Sequence, residues 1–423
     1  MVLLQKKRKS IVLIDPLNKL TEWISVTNAA LDTDTIVIAI QLENVLSDSR
    51  LKTFIPSSST LKNKGVHHVV TFHSLFPCVQ ELKILARKNN YSIDCVIPLS
   101  EMAVDFSDML GACLGVPHNS LELATSRWDK DLMMQAISEK GILVAQITRI
   151  ESVDELLPSM EKLGISFPVI VETPQVISTN AFICETLEEA NSAVRSIVDE
   201  EPNEHHTNAA LLKEHISGVE FTINLMACNG NYVVTDVWKF EENPYLGYGS
   251  ADICYPYAHP ELVEYAKAVA KAVGIKYGAA NVELKAKKGR NEEYCDPILM
   301  KIVARLPNGK KTMMCATGCN PYSTLIEAQS GYFHKKQEDF QPTQFARHLF
   351  LPIVEEGKVK GLHYDFTSLT TLHSKFLPLK VGDFVSKTTG HISCAGFIWL
   401  TGDRSEVEND TEKIVSTFHI DIA

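Results

Sequence analysis

Residues 278–309 read GAANVELKAKKGRNEEYCDPILMKIVARLPNG, two apolar, strand-like runs joined by a charged loop. Side chains of a strand alternate between its faces with a period of two. In NVEL this puts Glu283 on the opposite face from Val282 and Leu284, and in PILMKIVARL it gathers Lys301, Val303 and Arg305 on one face. A charged group inside an apolar strand must find a partner or meet a ligand, because burying it alone is costly. A hairpin with an acid on one strand and two cations on the other therefore predicts a cleft wall rather than plain core.

The remaining segments say what that wall belongs to. At 423 residues the chain exceeds what one hydrophobic core usually supports, so several sub-domains are expected. Its first third alternates β-rich runs (SIVLID, TIVIAI, HHVVTF, CVIPLS) with helical apolar spacing over 77–90 and 102–115, the second closed by Pro117. Such βα alternation predicts a parallel sheet with right-handed crossovers. No GxGxxG follows the first strand, so a dinucleotide site there has no support. From Ser120 the pattern changes to a helix-rich connector carrying Lys130, a strand in FPVIVETP and a helix over 187–198. An antiparallel pair follows around the turn Asn229-Gly230, then an amphipathic helix over 260–273 closed by Gly274. Beyond Asn320 the spacing predicts helices near 323–330 and 344–349, and then a β-rich tail. The chain shows no internal repeat and no low-complexity linker.

Composition excludes some classes of function. Hydrophobic residues at 45% and charged residues at 22% are ordinary for a globular protein, and a net charge of −11 argues against general nucleic-acid or anionic-membrane binding. No apolar stretch approaches the ~20 residues a membrane helix needs. The basic run Lys6 to Lys9 reads as a solvated flank before the first strand rather than a nuclear signal, and Val2 to Leu4 is too short for a secretory core. The ten cysteines are scattered without zinc-like spacing, as expected of reduced thiols in a cytoplasmic protein. His205, His206 and His215 lack a third partner at metal-ligand spacing.

Taken in order, these segments resemble the ATP-grasp superfamily, and most of all its carboxylate–amine ligases that join amino acids into dipeptides. The resemblance rests on IPLSE ending in Glu101, LGVPHNS, SRWDKDLM, FPVIVETP, LLKEHISGVEFTI, VWKF, GIKYGAANVEL and the VGD…AGF tail, so it spans nearly the whole chain. It implies an α/β ATP-grasp fold: a parallel-sheet domain over 1–119, a small lobe over 120–207, a large lobe over 208–330 and a β-rich segment over 331–423. It also implies ATP and Mg2+ as cofactors, with a small carboxylate and an amine (amino acids) as substrates joined through an acyl phosphate. A homodimer or a paralogue is the implied protein partner. By position, Lys130 and residue 172 would hold phosphates. Glu214 would lie beside the adenine hinge and Glu220 near the ribose. Glu283 and residue 301 would hold magnesium, and Arg305 would steady the acyl phosphate. From the residues alone, Lys130 also reads as a helix-surface lysine and Glu220 as one half of a plain salt bridge.

Four positions depart from the family pattern. Glu172 stands where a phosphate-holding lysine is expected, Lys301 where a metal-binding acid is, and Val303 where an asparagine is. The covering loop QVISTNA contains no glycine, although glycine lets backbone amides approach phosphate most closely. The exchange of signs between 172 and 301 predicts that both face one cleft, either paired directly or each offsetting the other's field. The alternative places both solvated at the rim. Two classes of function follow: a ligase with an unusual phosphate site, or a descendant without turnover that binds a metabolite or a partner.

Overall fold

In the first part of the computed structural model, β1 (Arg8–Ile14), β2 (Ile36–Leu42), β3 (His68–Phe72) and β4 (Tyr91–Pro98) form a parallel sheet in the order β3-β2-β1-β4. The structure describes residues 7–14, 26–30, 32–42, 57–72, 74–175, 181–199, 208–241, 249–289, 293–307, 311–388 and 393–423. Lys6, most of QVISTNA, His205, His206 and the tip of the charged loop lie outside them. The centres of β1, β2 and β4 are rich in Ile, Val and Leu and buried on both faces, as a parallel sheet requires, while the edge strand β3 buries only Val70. The helices Leu75–Asn89 and Val104–Leu114 cover one face, the second ending on Gly115 at φ 74°, a left-handed position that glycine takes without strain.

A second sheet, ordered β5-β8-β6-β7, is antiparallel throughout: β5 (Ile147–Ile150), β6 (Val169–Glu172), β7 (Ala181–Cys184) and β8 (Ala210–Glu214). The helix Leu187–Val198 packs on it through Ala190, Ala193, Val194 and Ile197. That helix starts on a capping box, in which Thr186 accepts from the Glu189 amide while the Glu189 carboxylate accepts from the Thr186 amide.

The largest sheet holds eight strands in the order β13-β12-β9-β10-β11-β14-β18-β16. They are β9 (Val219–Cys228), β10 (Asn231–Glu241), β11 (Ser250–Cys254), β12 (Gly278–Lys288), β13 (Tyr294–Val303), β14 (Phe345–Leu351), β16 (Leu372–Phe376) and β18 (Gly396–Gly402). Asn229 and Gly230 both take positive φ, 53° and 75°, which suits the tight turn between β9 and β10. The helix Pro260–Ala272 buries Leu262, Ala266 and Val269 against one face of β9 and β12. A smaller sheet joins β15 (Gly357–His363), β17 (Phe384–Val385) and β19 (His419–Ile422).

One expectation fails here. The run over 344–349, expected to be helical, is the strand β14, paired with β11 and β18. A short apolar run is compatible with either period, and pairing on both edges decides it.

A buried knot ties these parts together. Arg127 is 1% exposed and donates to the Asp108 carboxylate at 2.8 Å and to the Ser120 and Val273 carbonyls at 2.9 and 3.1 Å. Asp108 also accepts from the Asn119 amide at 2.9 Å. The segment from Asn119 to Arg127 is thereby fixed to the end of the helix Pro260–Ala272.

Candidate ligand cleft

Glu172 ends β6 and is only 5% exposed. Its two oxygens take two ammonium groups: Lys130 Nζ lies 2.5 Å from Oε2 and Lys213 Nζ lies 2.9 Å from Oε1. Lys130 is the first residue of the helix Lys130–Ser138, whose cap Asp129 accepts from the Asp131 and Leu132 amides. Its ammonium also donates to the Thr173 carbonyl at 3.1 Å. Lys213 comes from β8, where it sits opposite Ile170 of β6. Burial alone would push the Glu172 carboxyl up, but the charges of Lys213 and Lys130 outweigh it and hold the group down at about 2. Lys130 is itself drawn below the ordinary ammonium range, by burial first, with Glu172 opposing that and Lys213 and Lys301 adding to it.

The facing wall is the hairpin β12-β13. Glu283 and Lys301 are cross-strand partners, with Lys301 Nζ 3.2 Å from the Glu283 carboxylate. That carboxylate is the main reason why the Lys301 ammonium is raised above its usual range. Among the described residues no ion pair joins Glu172 to Lys301, because each has a nearer partner of opposite sign. The Glu172 charge still reaches Lys301 and favours its protonated form. Of the two expected forms of the exchange, the offset of fields is the one present and the direct pair is absent.

Arg305 is 7% exposed and makes an ion pair with Glu101, at the end of the IPLSE run, and a hydrogen bond to the Leu306 carbonyl. Its Nε is buried with no hydrogen-bond partner. Glu214 is half-buried at the end of β8 and accepts from the Gln146 amide at 3.2 Å, so it closes the β5 edge. Glu220 lies half-buried on β9, opposite Lys285 of β12. Asn281, next to Glu283 on the same face of β12, pairs in register with Val303 and with Asn224.

Lys130, Glu172, Lys301 and Glu283 are thus gathered at one place. Sequence reasoning missed Lys213, although its signal was the one applied to Lys301: a lysine inside an apolar run, here ALLKE.

Magnesium takes hard oxygen ligands in a tight octahedron. Of the two acid positions, one carries an ammonium that contacts the other. Among the described residues, no three His, Cys, Asp or Glu side chains are grouped to hold a metal ion. All ten cysteines are free, and no described helix is long and apolar enough to cross a membrane.

No family model matches the chain. Dapdiamide A synthase of Enterobacter agglomerans is 25% identical over 345 residues, covering 78% of this chain and 80% of that protein. An L-amino acid ligase from Bacillus licheniformis superposes with a TM-score of 0.75 at 16% identity, over 99% of this chain and 100% of that one. A carboxyaminoimidazole ribonucleotide synthase from Aspergillus clavatus, complexed with ATP, gives 0.66 at 14% identity over 97% and 98%. For biotin carboxylase from Campylobacter jejuni the values are 0.63 and 13% over 98% and 92%. By fold the chain is an ATP-grasp protein, and in its motif order and these relatives it resembles the carboxylate–amine ligases of that superfamily.

Proposed function

We propose that this chain descends from ATP-grasp carboxylate–amine ligases and binds a small carboxylate- or amine-bearing ligand, or a partner, without turning over ATP. The observation that carries this reading is Glu172, held between Lys130 and Lys213. Lys130, expected to hold phosphate, and its neighbour Lys213 already have a buried carboxylate as counter-ion. A triphosphate must either displace that carboxylate or sit beside it. Like charges at 4 Å repel by about 4 kcal/mol even at an effective dielectric near 20. The Lys301–Glu283 pair supports the same reading, since an ammonium cannot ligate magnesium and here it engages the remaining acid. The residues therefore do not fit magnesium with ATP, and no catalytic step is routed through them. The ten free cysteines fit a reducing, cytoplasmic setting.

A working ligase is the second reading, favoured by the buried Arg305 with its spare Nε–H. In that case Arg305 would steady an acyl phosphate, and Lys130 would have to leave Glu172. Thermal melting with and without Mg-ATP separates the two. A protein that binds nucleotide melts higher in proportion to RT ln(1 + [L]/Kd), and one that repels triphosphate does not shift. Phosphate release by the unmodified protein with mixed amino acids would establish the ligase and overturn the first reading.

A further inference from the structure

Asp236 lies on β10 and is 1% exposed. Its Oδ1 accepts from Asn224 Nδ2 at 2.5 Å and Trp238 Nε1 at 2.6 Å, and its Oδ2 accepts from Thr235 Oγ1 at 2.8 Å. All three donors are neutral, and among the described residues no ammonium or guanidinium pairs with it. Elsewhere in this protein a buried carboxylate meets a cation: Asp108 has Arg127, and Glu172 has two lysines. A buried charge is ordinarily paired, so Asp236 is the exception to be explained.

The polar row continues sideways, with Asn281 Nδ2 donating to Asn224 Oδ1 at 2.8 Å. Side chains bonded across neighbouring strands share a face, and Glu283 follows Asn281 by two residues on β12, so Asp236 and the Lys301–Glu283 pair look onto the same side of the sheet. Beside Asp236 is a cavity of about 10 Å³, lined by Asn224, Thr235, Asp236, Leu306, Met313 and Pro321. That is room for roughly one water-sized guest. Apart from Asn224, Thr235 and Asp236 the lining is apolar, so a carboxylate without a charged partner offers this space to a small cation rather than to an anion or a chelated metal.

We infer that the cavity beside Asp236 is a subsite for a compact monovalent cation, above all a primary ammonium, with Asp236 as its counter-ion. The ammonium can be a free ion or the amino end of a small ligand, and the same carboxylate serves both. Burial pushes the Asp236 carboxyl upward while its three donors oppose this, so a bound cation would favour the ionised form.

The test needs no nucleotide, so its failure leaves the reading of Glu172 untouched. The full-length protein is melted in ammonium, methylammonium, potassium and tetramethylammonium chlorides at matched ionic strength. Ammonium and methylammonium should raise the melting temperature above that in tetramethylammonium, which is too large for the cavity. A methylammonium effect equal to that of ammonium assigns the subsite to the amino end of a ligand. An equal potassium effect assigns it to a free ion. Asp236→Asn should weaken the ammonium response about tenfold or more, the scale of one hydrogen bond to a charged group. Should that variant not fold, Thr235→Ala should weaken it in the same direction. Identical melting in all four salts would overturn the inference. An ammonium response that survives in Asp236→Asn would overturn it as well.

Discussion

Replacing Glu172 with glutamine keeps the shape of the side chain and removes the charge between Lys130 and Lys213. The cost follows from the proton affinity of the group. Its carboxyl moves from an ordinary 4.5 to about 2 on folding. A difference of about 2.5 units corresponds to roughly 3 kcal/mol of stability at neutral pH. A similar size, about 3–5 kcal/mol, is expected when one member of a buried ion pair is removed. Because the folded-state value is the depressed one, the contribution is complete above pH 4.5 and is lost as pH falls towards 2. Urea denaturation of both proteins from pH 7 to pH 3.5 should therefore show Glu172→Gln less stable by about 3 kcal/mol at pH 7 and by about 2 kcal/mol at pH 3.5. The variant also leaves two ammoniums without their counter-ion, so inorganic pyrophosphate should stabilise it more than the parent. Equal stability at pH 7, or a gap that does not narrow with acid, would refute the reasoning.

The remaining predictions concern the same charges and the knot beneath them. Combining Glu172→Lys with Lys301→Glu restores a phosphate-holding lysine beside Lys130 and a second acid beside Glu283. Under the reading proposed above, stabilisation by Mg-ATP should then appear in melting in the double variant and not in the parent, and its absence in the double variant would count against the charge exchange as the cause. Asp108→Asn strips the counter-ion from Arg127, which is buried at 1% exposure. It should cost about 3–5 kcal/mol in urea denaturation, and a cost under 1 kcal/mol would mean that the three carbonyl and amide contacts around the pair suffice without the charge.

Much of the fold was legible in the sequence where local signals agree with one another. The helix Leu187–Val198 carries its own capping box, and the β9-β10 turn carries Asn229-Gly230. The run over 344–349 misled because so short a stretch satisfies either period, and only pairing with β11 and β18 makes FARHLFL, from Phe345 to Leu351, a strand. At the cleft, the residue types pointed to charged groups that must find partners, but the choice of partners did not follow from them. Charge reciprocity between Glu172 and Lys301 suggested a direct pair, whereas register sets Lys301 opposite Glu283 and brings Lys213 to Glu172. Asp236 gave no sequence signal beyond one acid within VVTDVW, because its meaning lies in neighbours on β9 and in a space no sequence shows.

The seat of Glu172 has a historical consequence. Three lysines and two glutamates interlock here, so no single codon change leads back to a phosphate-gripping pocket without passing through a protein with stranded charge. Residues that touch are not free to mutate independently, and here the dependence runs across five secondary-structure elements. If the proposed descent holds, selection for stability alone would guard both exchanges like a ratchet.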